Sequence, residues 1–106
     1  MNYAKRTDDN HREVIDAFRK AMPDATLFDA SGAGRGCPDC IVGWRGMNYL
    51  FEIKDPAKCP SARSLTDAQK EFHLTWQGQV HVVHTAADMC AQIARSKTPS
   101  ALPSGS

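Results

Sequence analysis

Residues 36–54 read Gly-Cys-Pro-Asp-Cys-Ile-Val-Gly-Trp-Arg-Gly-Met-Asn-Tyr-Leu-Phe-Glu-Ile-Lys. Two runs, Cys40–Trp44 and Tyr49–Ile53, are rich in β-branched and aromatic residues, which fit a pleated, half-buried surface. Arg45-Gly46-Met47-Asn48 lies between them and holds the Gly and Asn of a tight turn. The stretch reads as an antiparallel hairpin. Side chains alternate along a strand, so Glu52 and Lys54 share one face. Tyr49, Phe51 and Ile53 point the other way, toward a core. An isolated Glu-x-Lys is ordinarily a solvated face. Here Glu52 interrupts a strand otherwise suited to burial, and a Pro38-Asp39 pair stands at the mouth of the partner strand.

A two-residue turn pairs positions whose numbers sum to an odd value. Centring it on Gly46-Met47 sets Asp39 opposite Lys54. Centring it on Arg45-Gly46 sets Asp39 opposite Glu52. Both place Asp39 on the Glu52/Lys54 face, where directly opposed Cβ atoms lie about 5 Å apart. An odd-length loop would break the parity. Two carboxylates and an ammonium are therefore expected to converge at one end of the hairpin. Hard divalent cations take oxygen ligands, and phosphodiester cleavage profits from a lysine beside them.

Pro38-Asp39, twelve residues, then Glu52-Ile53-Lys54 resembles the PD-(D/E)XK nuclease signature. With Gly36, the helix after Leu65-Thr66-Asp67-Ala68-Gln69 and the strand Val80-His81-Val82-Val83, the chain resembles the small VRR-type nuclease domains of phages and prophages, relatives of Holliday-junction resolvases. The resemblance spans roughly residues 6–94. It implies an α/β fold of mixed α+β type: a restriction-endonuclease-like αβββαβ core with helices around a mixed central sheet. It also implies Mg²⁺- or Mn²⁺-dependent cleavage of DNA, on branched or flapped substrates. Asp39 and Glu52 match the family's metal ligands and Lys54 its catalytic lysine. The Ile53 carbonyl matches a further ligand, Glu13 an acid on the first helix, and Gln69 a glutamine that opens the later helix. The chain departs from the family at Cys40, where an aliphatic residue is usual, and at His11, where glutamine is usual.

Working outward, Asn10-His11-Arg12-Glu13 has capping-box spacing, and Val14, Ile15, Phe18, Ala21 and Met22 form a helical stripe ending before Pro23. Glu13 is thus either a cap or a metal ligand. Thr26–Ala30 reads as the first strand. The loop 31–36 is Gly-rich, either a plain connection or a phosphate cradle. Residues 54–64 form a loop with two prolines and three basic residues, suited to phosphate contacts. Thr66-Asp67-Ala68-Gln69 is a second capping box, so Gln69 is either a cap or a site residue. Phe72, Leu74 and Trp76 are the apolar residues of that helix, and Gly78 ends it. His81 and His84 have no evident partner. Thr85 caps a last helix through Ala94, with Met89, Cys90 and Ile93 facing inward.

The 106 residues, 42% hydrophobic, suit one domain over 1–95 with a disordered Ser/Pro-rich tail over 96–106. No stretch approaches the length of a membrane span, and no apolar leader follows Met1, so a cytoplasmic location is expected, the host cytoplasm for a phage protein. Net charge is only +1, but Arg35, Arg45, Lys54, Lys58 and Arg63 cluster around the proposed site. Of these, Arg35, Lys58 and Arg63 are the DNA-contact candidates. A homodimer would give so small a domain two active sites. Cys37 and Cys40 have C-x-x-C spacing, whereas Cys59 and Cys90 stand alone. A four-cysteine zinc module and a non-catalytic DNA-binding or phage-interaction module are the two rival readings.

Overall fold

Arg45 and Gly46 both have positive φ, 51° and 81°, and close a two-residue turn of the type that matches strand twist. This selects one of the two possible hairpin registers. The computed structural model describes residues 10–55, 57 and 64–96. The hairpin strands are β2 (Cys40–Trp44) and β3 (Met47–Ile53), so β3 begins two residues earlier than the sequence suggests. Before them come α1 (His11–Ala21) and β1 (Thr26–Asp29). After them come α2 (Asp67–Thr75), β4 (Val80–Val83) and α3 (Ala86–Ser96). The order αβββαβ is thus followed by one more helix.

The sheet is mixed, ordered β1-β2-β3-β4. The first two pairings are antiparallel, and β4 runs parallel to β3 after the α2 crossover. A parallel neighbour requires such a crossover, because a tight turn reverses the chain. One sheet face contributes Cys40, Val42, Tyr49, Phe51, Ile53 and Val83 to the core. Val14, Ile15 and Phe18 of α1 cover it, together with Met89 and Ile93 of α3. Full burial of a side chain such as Phe18 stabilises by roughly 1.5–3 kcal/mol. Glu52 and Lys54 belong to the opposite face, as strand alternation requires.

The caps differ from expectation at one end of the chain. Asn10 has helical dihedrals and makes no side-chain capping bond. Its amide instead donates to the His84 carbonyl at 3.4 Å. Thr66 and Thr85 do cap their helices: the Thr66 and Thr85 hydroxyls accept from the N–H groups of Gln69 and Asp88. α2 ends at Thr75, before Trp76, and none of its residues is buried. Leu74, expected on its apolar face, is 84% exposed. No described helix is long and apolar enough to cross a membrane. Lys58, Arg63, Cys59 and the expected tail beyond Ser96 lie outside the described residues.

Candidate active site

Asp39 stands one residue before β2. Cys40 pairs with Phe51, so one step outward sets Asp39 opposite Glu52. Two backbone bonds hold it there. Its carbonyl accepts from Ala30 N–H at 2.8 Å, and its Oδ2 accepts from Ile53 N–H at 2.7 Å. The carboxylate therefore takes the ladder position that β2 no longer supplies. In a strand the N–H and C=O of one residue point to the same edge, so the Ile53 carbonyl is directed toward Asp39 as well.

Glu52 is 2% exposed and Lys54 7%. Lys54 Nζ lies 3.9 Å from Glu52 Oε2. Gln69 Nε2 donates to the same oxygen at 3.1 Å. Asp39 and Glu52 stand opposite each other in the ladder, close enough for each carboxyl to feel the other. Burial pushes the Asp39 carboxyl above the usual carboxylate range. The Ile53 N–H, His11, the neighbouring Glu52 carboxyl and the Lys54 ammonium all pull it down without prevailing. Two acids in such contact need a shared proton or a cation between them.

The side chain of Gln69 does both jobs the sequence left open. Its Oε1 accepts from Thr66 N–H at 2.9 Å, completing the capping box. Its Nε2 reaches Glu52. The α2 N-terminus is held close by Gly36, whose φ is +78°. A Cβ at that position would run into the Ala68 carbonyl. Gly36→Ala is therefore expected to cost about 3 kcal/mol, from left-handed strain plus a backbone overlap. Urea denaturation measures it, and a loss under about 1 kcal/mol would mean the loop and α2 are not held together in this way.

Glu13 does not join this group. It is exposed on α1. His11 occupies the inward position instead, 6% exposed, and a residue two positions on lies about 200° around the helix. His11 Nδ1 is 4.0 Å from Asp39 Oδ1, and its Nε2 is 3.7 Å from Asp29 Oδ2. Burial raises the Asp29 carboxyl, but the Ser31 hydroxyl and N–H, with His11, outweigh it and hold the group below its ordinary value. The stripe could have revealed His11, because 11, 14, 15 and 18 follow helical spacing. Lys54 has a partner the sequence did not show. His84 Nδ1 lies 2.9 Å from its carbonyl, as donor to it, and Lys54 N–H donates to Val83 at 3.0 Å. Both ends of the Lys54 peptide backbone are thereby fixed. Arg35, with φ 56°, lies beside α2 rather than among the carboxyls.

Cys37, Cys40 and Cys90 are free thiols. Burial, with Asp39, Asp29 and Glu52 nearby, pushes Cys40 up to about 12. Burial and then the Glu52 and Asp39 charges also raise Cys37. Among the described residues no group of three His, Cys, Asp or Glu could hold an ion. The side-chain donors at the centre are thus two carboxylates. That set fits Mg²⁺, which usually keeps several waters and binds through one or two carboxylates plus substrate phosphate. The chain has no significant match among protein-family models, curated proteins or solved structures.

Proposed function

We propose that this protein is a metal-dependent DNA endonuclease that hydrolyses phosphodiester bonds. The reading rests chiefly on the meeting of a buried carboxyl, Glu52, and a partly buried one, Asp39, on one sheet face, with a lysine ammonium 3.9 Å from Glu52. Burying such charges costs several kcal/mol per ion, a cost that a surface used only for binding has no need to carry. Asp39 and Glu52 would hold Mg²⁺ or Mn²⁺, with the Ile53 carbonyl directed toward the same place. The bound ion would supply charge neutralisation at the scissile phosphate. Lys54 orients the attacking water and offsets negative charge that develops in the transition state. Gln69 fixes the Glu52 carboxylate, and His84 fixes the Lys54 backbone.

Branched or flapped DNA as substrate follows from the sequence resemblance, and a homodimer with two sites from the small size of the domain. The test is cleavage of duplex, flap, splayed and four-way DNA with Mg²⁺, with Mn²⁺ and in excess EDTA. Metal-dependent cleavage of any of them is expected. Binding without cleavage under every condition would favour the non-catalytic DNA-binding or phage-interaction module.

A second expectation separates Glu13 from the site. Glu13→Gln is expected to leave both cleavage and melting temperature unchanged, because Glu13 is exposed and Asn10 forms no capping bond. A strong loss of cleavage at limiting Mg²⁺ would return Glu13 to the metal.

A further inference from the structure

The α2 helix touches the site only by its first turn, yet it carries half-buried Phe72 and is followed at once by exposed Trp76. Phe72 and Trp76 stack, with ring centroids 5.1 Å apart and an interplanar angle of 16°. Trp76 is 44% exposed. The indole lies over Gly78, where a Cβ would come within 2.9 Å of Nε1. A cavity of about 340 Å³ lies beside Phe72, lined by Arg35, Ala68, Glu71, Phe72 and Thr75. Ala68 precedes Gln69, the residue that holds Glu52. Positions 69, 72 and 76 follow helical spacing, so one stripe leads from the carboxyl centre to Trp76 over about 10 Å.

We infer that Phe72 and Trp76 form a stacking shelf for an unpaired nucleobase of the DNA bound at the Asp39/Glu52 site, with Arg35 on its phosphate. This rests on the nuclease reading and narrows its substrate to DNA with unpaired nucleotides near the cut. Bases inside a duplex have both faces covered by neighbours. Only an unpaired or terminal base has a π-face to offer, and aromatic side chains take it regardless of sequence. The cation and the ring line the same cavity, which matches the two halves of a nucleotide. Glu71 on the rim is exposed, so its charge is screened. A protein partner fits less well. Leu74 is the most exposed apolar residue of α2, but it lies about 200° around the helix from both Phe72 and Trp76. The aromatic stripe is therefore narrow and not part of a broad apolar patch.

The test is fluorescence anisotropy with the full chain, in EDTA and at fixed salt, so that binding is read apart from cleavage. The probes are a labelled oligothymidylate and a blunt duplex of equal length. Trp76→Ala is expected to weaken oligothymidylate binding about tenfold and duplex binding by less than about twofold, with Trp76→Phe close to wild type. Phe72→Ala should act in the same direction, Arg35→Ala should weaken both probes, and Leu74→Ala should change neither. Equal weakening of both probes by Trp76→Ala, or no change in either, overturns the shelf. So does a Trp76→Ala shift from dimer to monomer in sedimentation with oligothymidylate affinity unchanged, which would make the aromatic pair a contact between copies. The two readings fail separately. Cleavage that needs Asp39 but single-strand binding indifferent to Trp76 removes the shelf alone. Trp76-dependent binding with no cleavage by any metal removes the nuclease.

Discussion

Asp39→Asn and Glu52→Gln are each expected to lower Mg²⁺-dependent cleavage by about a thousandfold or more, and Asp39→Asn to leave the metal-free fold as stable or more so. Each amide keeps the shape of the acid. At position 39 it can still accept from Ile53 N–H and donate to Glu52. What it removes is a negative charge. Burial holds the Asp39 carboxyl above its ordinary value, so the folded chain binds that proton more tightly than the unfolded chain. Such a group contributes stability fully below the unfolded carboxylate range. The contribution is lost as pH rises through the folded pKa. At neutral pH the ionised pair therefore burdens the metal-free fold. Asp39→Asn relieves it, by roughly 4–8 °C in melting temperature for each kcal/mol removed. Calorimetry from pH 4 to 8 should show wild type losing stability with rising pH more steeply than Asp39→Asn. Mg²⁺ should raise the wild-type melting temperature and not that of either variant. Ca²⁺, which tolerates looser geometry, should inhibit. Undiminished cleavage by either variant, or full wild-type activity in excess EDTA, would sink the metal assignment.

Lys54→Ala is expected to reduce the cleavage rate at saturating DNA by about 10²–10³-fold, with DNA affinity changed by less than about threefold. The split follows from where the ammonium sits. The Lys54 side chain is 9% exposed and faces Glu52, so it adds little to the field that a distant DNA backbone meets. Its peptide is held by Val83 and His84, so truncation leaves the strand in place. Lys54→Met, which keeps a long apolar chain, controls for lost packing and should show the same split. Lys58→Ala and Arg63→Ala, by contrast, are expected from the sequence to weaken affinity and reduce its salt dependence by a slope of roughly 0.9 each. Weaker binding by Lys54→Ala with an unchanged rate at saturating DNA would end its catalytic role.

The hairpin was legible in the sequence because strand alternation is local. Period two alone put Glu52 and Lys54 on one face and Tyr49, Phe51 and Ile53 on the other. Parity then carried Asp39 to the same face in either register, before the turn was known. The caps at Thr66 and Thr85 were legible for the same reason, since each bond spans three residues. The turn centring was not, because Gly46 serves either choice. It took the observed positive φ at Arg45 and Gly46 to set Asp39 opposite Glu52 rather than Lys54.

Glu13 and His11 mark the limit of reasoning along the chain. Capping-box spacing favours position 13, yet the packing of Val14, Ile15 and Phe18 rotates α1 so that position 11 meets Asp39. The amide of Gln69 and the imidazole of His84 are a second case. Their partners, Glu52 and Lys54, lie 17 and 30 residues away. Nothing in the local pattern encodes which distant carboxylate or carbonyl a side chain will reach. Sequence by itself determined the strand faces, the turn region and the set of groups available for chemistry, because each depends on neighbours a few residues apart. Only the tertiary structure decided which helix face closes on the carboxyls, that β4 lies parallel beside β3, and that Trp76 just past α2 stays 44% exposed. Those outcomes depend on which apolar surfaces bury one another across the whole chain.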